Sequence, residues 1–207
     1  MIKAIVFDMD GVLIDAKEWH YEALNKALAL FGFEISRYDH LTSFDGLPTS
    51  TKLNMLSKMS NLPIELHSFI NELKQSYTMD MVHEKCRPRF IHEYALSSLR
   101  ANGYKLGVAS NSIRATVQTM MQKADLDDYL DIMLSNEDVE KPKPSPDIYI
   151  KAMQQLGFTP AECLIVEDNE NGILAARASG AHVLVVSDVD EVNYENIMNA
   201  IRRAEGN

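Results

Sequence analysis

A short apolar run near the start of the chain, Ala4-Ile5-Val6-Phe7, stops at Asp8-Met9-Asp10-Gly11. Aspartate and glycine are poor strand residues, so local propensity does not account for them at a strand end. Their spacing has a chemical use. Side chains two apart on a strand point the same way, so the Asp8 and Asp10 carboxylates can serve one reacting centre. Gly11 lets the backbone turn sharply away. The alternative is an ordinary turn that happens to hold two acids.

Three further apolar runs end in polar residues. Tyr104–Ala109 leads into Ser110-Asn111-Ser112, Leu164–Val166 into Glu167-Asp168-Asn169, and His182–Val186 into Ser187-Asp188. Near-continuous apolar strands suggest a parallel sheet covered on both faces. Ligands of such sheets bind beyond the carboxyl ends of the strands, near the topological switch point. That is where Asp8 and Asp10, Ser110 and Asn111, and Glu167 and Asp168 would gather.

The intervals between these strands carry helical spacing. Ile113, Val117, Met120 and Met121 form one stripe, with Ser112 or Asn111 available as N-cap. Ser145-Pro146-Asp147 reads as a helix start with Pro146 at the first helical position, and Ile148, Ala152 and Leu156 continue it to Gly157. Ile173, Ala176 and Ala178 precede Gly180, a C-terminal cap. From about residue 88 the alternation is that of a doubly wound α/β fold.

Residues 15–84 break the pattern. Helices are expected over Trp19–Phe31, Thr49–Ser60 and Ile64–Met81, with no strand. A helical insertion over 15–84, between core segments 1–14 and 85–207, is the simplest account, with Pro88 stopping any continuing helix on return.

Composition narrows the classes of function. The chain has 207 residues, 46% hydrophobic and 24% charged, an ordinary globular balance. With 30 acids against 20 bases, a net charge of −10 argues against nucleic acid or an anionic membrane surface as partner. A small anionic ligand needs only a local positive site. No run spans a membrane, and no basic segment leads into an apolar signal core, so a cytoplasmic protein is expected. Cys86 and Cys163 are too few for a disulfide framework and lack zinc-ligand spacing.

The motifs together resemble the haloacid dehalogenase (HAD) superfamily. Phe7-Asp8-Met9-Asp10-Gly11-Val12-Leu13 is similar to its first motif and Val108-Ala109-Ser110-Asn111 to its second. Lys143-Pro144-Ser145-Pro146-Asp147-Ile148-Tyr149 resembles the third, with Lys143 in the lysine position. Val166-Glu167-Asp168-Asn169-Glu170-Asn171-Gly172, with Ala175-Ala176, resembles the fourth. Order and spacing follow the family, and the insertion is similar to the small cap one subfamily carries after motif one. The resemblance implies a Rossmann-like core.

It also implies phosphoryl transfer. Asp8 would attack phosphorus and form an aspartyl-phosphate. Asp10 would protonate the leaving oxygen and then activate water. Carboxylates and phosphate repel one another, so a cation is required, and magnesium suits carboxylate and phosphate oxygens together. Its expected ligands are Asp8, the Asp10 backbone carbonyl and Asp168, with Glu167 direct or through water. Ser110 and the Asn111 amide would hold the phosphoryl oxygens, with Lys143 neutralising the remaining charge. Ser110 is alternatively a routine N-cap, and Lys141 competes for the lysine role, although the match to Pro-Ser-Pro-Asp favours Lys143.

In the cap, His20 is a candidate substrate contact or an interface histidine. Gly46, in Phe44-Asp45-Gly46-Leu47-Pro48-Thr49, would allow close backbone approach, and Lys52 and Lys74 could meet a second anionic group or be solvated helix lysines. The related β-phosphoglucomutases hold a second phosphate with an arginine shortly after the loop glycine. Thr49 stands there, and no arginine lies between Arg37 and Arg87. Lysine replaces arginine's bidentate fork only in part.

The expected activity is therefore a magnesium-dependent phosphatase of a small phosphorylated metabolite, a sugar phosphate or similar, acting as a monomer. A phosphosugar mutase is the alternative. Dehalogenation proper does not use the magnesium set of Asp10, Glu167 and Asp168, and a silent binding module has no need of Asp8 or Asp10.

Overall fold

The computed structural model describes residues 1–206. The chain divides into two compact units, one made of Met1–Asp15 with the segment from Cys86 onward, the other of Ala16–Lys85. The first is built on five strands: β1 (Ala4–Phe7), β2 (Lys105–Ala109), β3 (Ile132–Leu134), β4 (Cys163–Glu167) and β5 (His182–Val185). All pair in parallel, in the order β3-β2-β1-β4-β5. The chain steps outward from β1 to β3, then crosses back to lay β4 on the other side of β1. The switch point is therefore the boundary between β1 and β4.

The second unit is helical throughout. It comprises α1 (Lys17–Ala29), a single turn α2 (Arg37–Asp39) running into a π-turn (His40–Phe44), then α3 (Thr49–Ser60) and α4 (His67–Lys85). Leu24, Ala27 and Leu28 of α1 bury with Ile35, Phe44, Leu53, Leu56, Leu62 and Ile70. The Asn25 amide ties α1 to the following segment, donating to the Ile35 carbonyl at 2.9 Å and accepting from its amide at 2.8 Å. The helix expected over Ile64–Met81 is instead a 3₁₀ turn at Ile64–Leu66 followed by α4, because the chain tightens directly after Pro63.

Helices α5 (Phe90–Ala101), α6 (Arg114–Lys123), α7 (Asp147–Leu156), α8 (Glu170–Ala178) and α9 (Tyr194–Ala204) cover the sheet. Val6, Ala109 and Ile165 pack into one cluster with Ile148, Tyr149 and Ala152 of α7 and Ala175 and Ala176 of α8. By alternation, Ile5, Phe7, Leu164 and Val166 point the other way. They are buried too, so both faces are covered. The doubly wound expectation is met.

Local details differ from the sequence reading. β3 has only three residues, two of them part-exposed, and its pattern is too short to register as a strand. Neither Ser112 nor Asn111 caps α6; Ile113 takes that position and Ser112 bonds elsewhere. Pro146 is the N-cap of α7 rather than its first helical residue. No helix among the described residues is long and apolar enough to cross a membrane.

His92 on α5 is buried, and its Nε2 donates to the Val189 carbonyl at 2.8 Å. Burial holds its pKa below the ordinary histidine value. The unfolded chain then binds a proton more readily than the native one. The stability from His92 is present above about pH 6.5 and is lost as pH falls toward the depressed native value. Thermal denaturation between pH 5 and 8 is expected to show this decline, and His92→Gln to reduce its slope.

Candidate active site

The register of β1 and β4 brings the first two carboxylates together. Val6 pairs with Ile165, and both lie in the cluster under α7 and α8. Two residues further along each strand stand Asp8 and Glu167, on that same face at the switch point. The ladder continues to this level, with the Asp8 amide donating to the Val166 carbonyl at 2.9 Å.

Lys143 arrives from the loop before α7. Its Nζ donates to Asp8 Oδ1 at 2.6 Å, Glu167 Oε1 at 2.7 Å and the Ala109 carbonyl at 2.9 Å. An ammonium has three protons, so all are engaged. The loop is held by Asn111, whose Nδ2 donates to the Lys143 carbonyl at 3.3 Å and whose Oδ1 accepts from the Lys143 amide at 3.0 Å. Lys141 is exposed, whereas Lys143 is buried.

Beyond Asp8 the chain folds into a compact turn. The Met9 carbonyl accepts from the Leu13 and Ile14 amides, and Gly11 takes a φ of +93° that a side chain would strain. Asp10 is thereby directed to the end of β2. Its Oδ2 accepts from Ser112 Oγ at 3.0 Å and lies 3.5 Å from Ser110 Oγ, which itself accepts from the Ser112 amide at 3.0 Å.

Asp168 completes the acidic group. Asp8, Glu167 and Asp168 each place a carboxylate oxygen within 4.8 Å of the others. Glu167 is held from three sides: Oε1 accepts from Lys143 and from the Tyr149 hydroxyl, and Oε2 accepts from the Asp168 amide at 3.1 Å. Helix α8 begins directly against it. A Cβ on Gly172 would fall 1.9 Å from Glu167 Oε1, so only glycine admits this approach.

The electrostatics follow from that packing. Burial, then Glu167, raises the Asp8 carboxyl well above its usual range, against the opposing pull of Lys143. Burial alone would lower Lys143, but Asp8 and Glu167 more than reverse it, and its ammonium is held above the ordinary value. Burial and then Glu167 push the Tyr149 hydroxyl well up, so it remains a proton donor. Three carboxylates with one ammonium give the group two formal negative charges, a match for one divalent cation. The hard oxygen donors fit magnesium.

Comparison with known proteins agrees with this geometry. Residues 5–186 match the family model for haloacid dehalogenase-like hydrolases. The chain is 31% identical over 196 residues to YhcW of Bacillus subtilis (strain 168), covering 90% of this chain and 84% of that one. The chain belongs to the haloacid dehalogenase-like hydrolases. A phosphorylated carbohydrates phosphatase of Thermotoga maritima is 26% identical over 182 residues, covering 86% of this chain and 82% of that one. The crystal structure of β-phosphoglucomutase from Clostridium difficile covers all of both chains with a TM-score of 0.86 at 22% identity, a likeness of fold.

The remaining candidates of this hydrolase lie in the helical unit. His20 Nδ1 and Lys74 Nζ are 3.1 Å apart. An ammonium only donates, so a charged Lys74 can bond His20 there only through a lone pair on Nδ1. Lys52 and Lys74 are both buried rather than solvated, and Lys52 adds positive charge near His40. Gly46 follows the π-turn with a φ of +68°. Two residues of the catalytic unit escaped sequence reasoning. Ser112 reads as an available helix cap, and Tyr149 stands at the end of the third motif with no role assigned to it.

Gly172→Ala is expected to displace the Glu167 carboxylate, because the new methyl and that group cannot share the space. Overpacking of this kind costs about 1–3 kcal/mol. Thermal denaturation should register the loss.

Proposed function

We propose that the chain is a magnesium-dependent phosphatase of a small phosphorylated metabolite, with a phosphorylated carbohydrate as the favoured substrate class. The observation that carries the reading is the Lys143 ammonium set between Asp8 and Glu167, next to a second acid, Asp10, held by Ser112. The name of the Thermotoga maritima relative points to the same class of substrate.

Asp8 is the nucleophile. Lys143 holds its Oδ1, which fixes the orientation of the carboxylate before substrate arrives. Attack on phosphorus forms a bond from the Asp8 carboxylate and releases the alcohol of the ester. Asp10, two residues on, gives its proton to that leaving oxygen. It then takes a proton from the water that cleaves the aspartyl-phosphate, regenerating Asp8 and releasing phosphate. Ser110 and the Asn111 backbone amide stand at the β2 end, where the transferring oxygens need donors, and Lys143, its protons already engaged, adds positive charge beside them. Asp8, Asp168 and the Asp10 carbonyl, with Glu167 directly or through water, would hold magnesium, which supplies charge neutralisation between carboxylates and phosphate.

Hydrolysis is favoured over a mutase cycle. A mutase must grip the distal phosphate of a bisphosphate, and the helical unit has no arginine between Arg37 and Arg87 for a bidentate grip. Product analysis with a hexose 1-phosphate and trace bisphosphate is expected to give free phosphate; hexose 6-phosphate without phosphate release would reverse the ranking.

A phosphate-release screen over a panel of sugar phosphates with magnesium identifies the substrate. Asp8→Asn is expected to lower kcat on it by on the order of a thousandfold or more, as removal of a covalent nucleophile does. Retention of most of the activity would overturn the assignment. EDTA should abolish turnover, and added magnesium should restore it.

A further inference from the structure

The cluster under α7 and α8 is apolar except for one hydroxyl. Tyr149, fully buried, belongs to one cluster with Val6, Ala109, Ile165, Ala175 and Ala176. Phenylalanine would fill that space equally well, and burying a hydroxyl is costly unless it is bonded. The Tyr149 hydroxyl donates to Glu167 Oε1. The face of its ring lies 4.7 Å from Lys143 Nζ, within range of a cation–π contact. One side chain therefore touches both members of the buried ion pair.

Lone-pair counting on Glu167 shows what this contact does. A carboxylate offers about four acceptor sites, two on each oxygen. Oε1 spends both, on Lys143 and on Tyr149. Oε2 accepts the Asp168 amide and keeps one site. With both Oε1 sites occupied, Oε2 is the oxygen that keeps an acceptor site for a cation or a cation-bound water.

We propose that Tyr149 is a positioning residue for the metal site, locking Glu167 so that it contributes through Oε2 alone. The proposal rests on the magnesium reading above and concerns a residue that touches neither substrate nor cation. Partners of metal ligands commonly change metal affinity by about 10–100-fold when removed. Without the hydroxyl, Glu167 Oε1 regains a lone pair and is held by Lys143 alone, so its orientation is less tightly imposed.

The test is calorimetric titration of magnesium into wild-type protein, Tyr149→Phe, Glu167→Gln and the double variant. Phenylalanine keeps the ring over Lys143 and the packing of α7, and circular dichroism checks that the fold is kept. Tyr149→Phe is expected to weaken magnesium binding roughly tenfold and to have no further effect in the Glu167→Gln background. Binding within twofold of wild type would overturn the proposal. So would an equal loss in both backgrounds, the mark of a merely structural role. A wild-type protein that takes up no magnesium would overturn the metal assignment and this proposal with it. One that binds magnesium as expected but hydrolyses no phosphate ester would overturn the phosphatase reading alone.

Discussion

One buried ammonium ion joins the parts of this catalytic unit. Lys143 commits its three protons to Asp8 just after β1, Ala109 from β2 and Glu167 from β4, three segments far apart in the chain. Ions buried in this way lose hydration that their mutual attraction only partly returns, so such an arrangement is a weak source of net stability. Removing one member is a different matter. It strands a charge in a dry environment, at about 3–5 kcal/mol. The ion pair therefore binds the geometry of β1, β2 and β4 to the presence of all three groups. A site whose charges enforce one another's positions needs little rearrangement at the moment of reaction.

Parity and strand order put those charges in one place. Because the side-chain period of a strand is two, the pairing of Val6 with Ile165 commits Asp8 and Glu167 to the same face. A slip of one residue would send one carboxylate to the opposite side of the sheet. The crossover that places β4 beside β1 makes these two strand ends neighbours, although they lie some 160 residues apart in sequence. Small residues complete the fit. Gly11 turns the backbone beyond Asp8, and Gly172 lets α8 begin in contact with the Glu167 carboxyl.

Much of this was legible in the sequence, for a definite reason. Acids directly after apolar runs contradict strand propensity, so Asp8, Asp10, Glu167 and Asp168 stand out against their local background. Lys143 was legible only through its motif, since nothing local separates it from Lys141. Ser112 and Tyr149 were not legible, because each has an ordinary local explanation. Serine after a strand is a common cap, and tyrosine at helical spacing is a common core residue. Their partners, Asp10 and Glu167, are 102 and 18 residues away. Pairing over such separations follows from topology rather than local pattern. β3 escaped for the opposite reason: three residues are too few to show a period.

The helical unit shows how burial changes the meaning of a residue. Lys52 and Lys74 sit on helices where a solvated lysine is the usual outcome, yet both are buried. A long aliphatic stem can account for burial of the methylenes, while the ammonium calls for a polar partner. Lys74 Nζ has His20 Nδ1 at 3.1 Å. The arrangement constrains both partners, because a doubly protonated His20 would have no lone pair there to give. A sequence pattern cannot reveal this, since the two residues lie 54 positions apart, on helices α1 and α4, and meet only because those helices pack together.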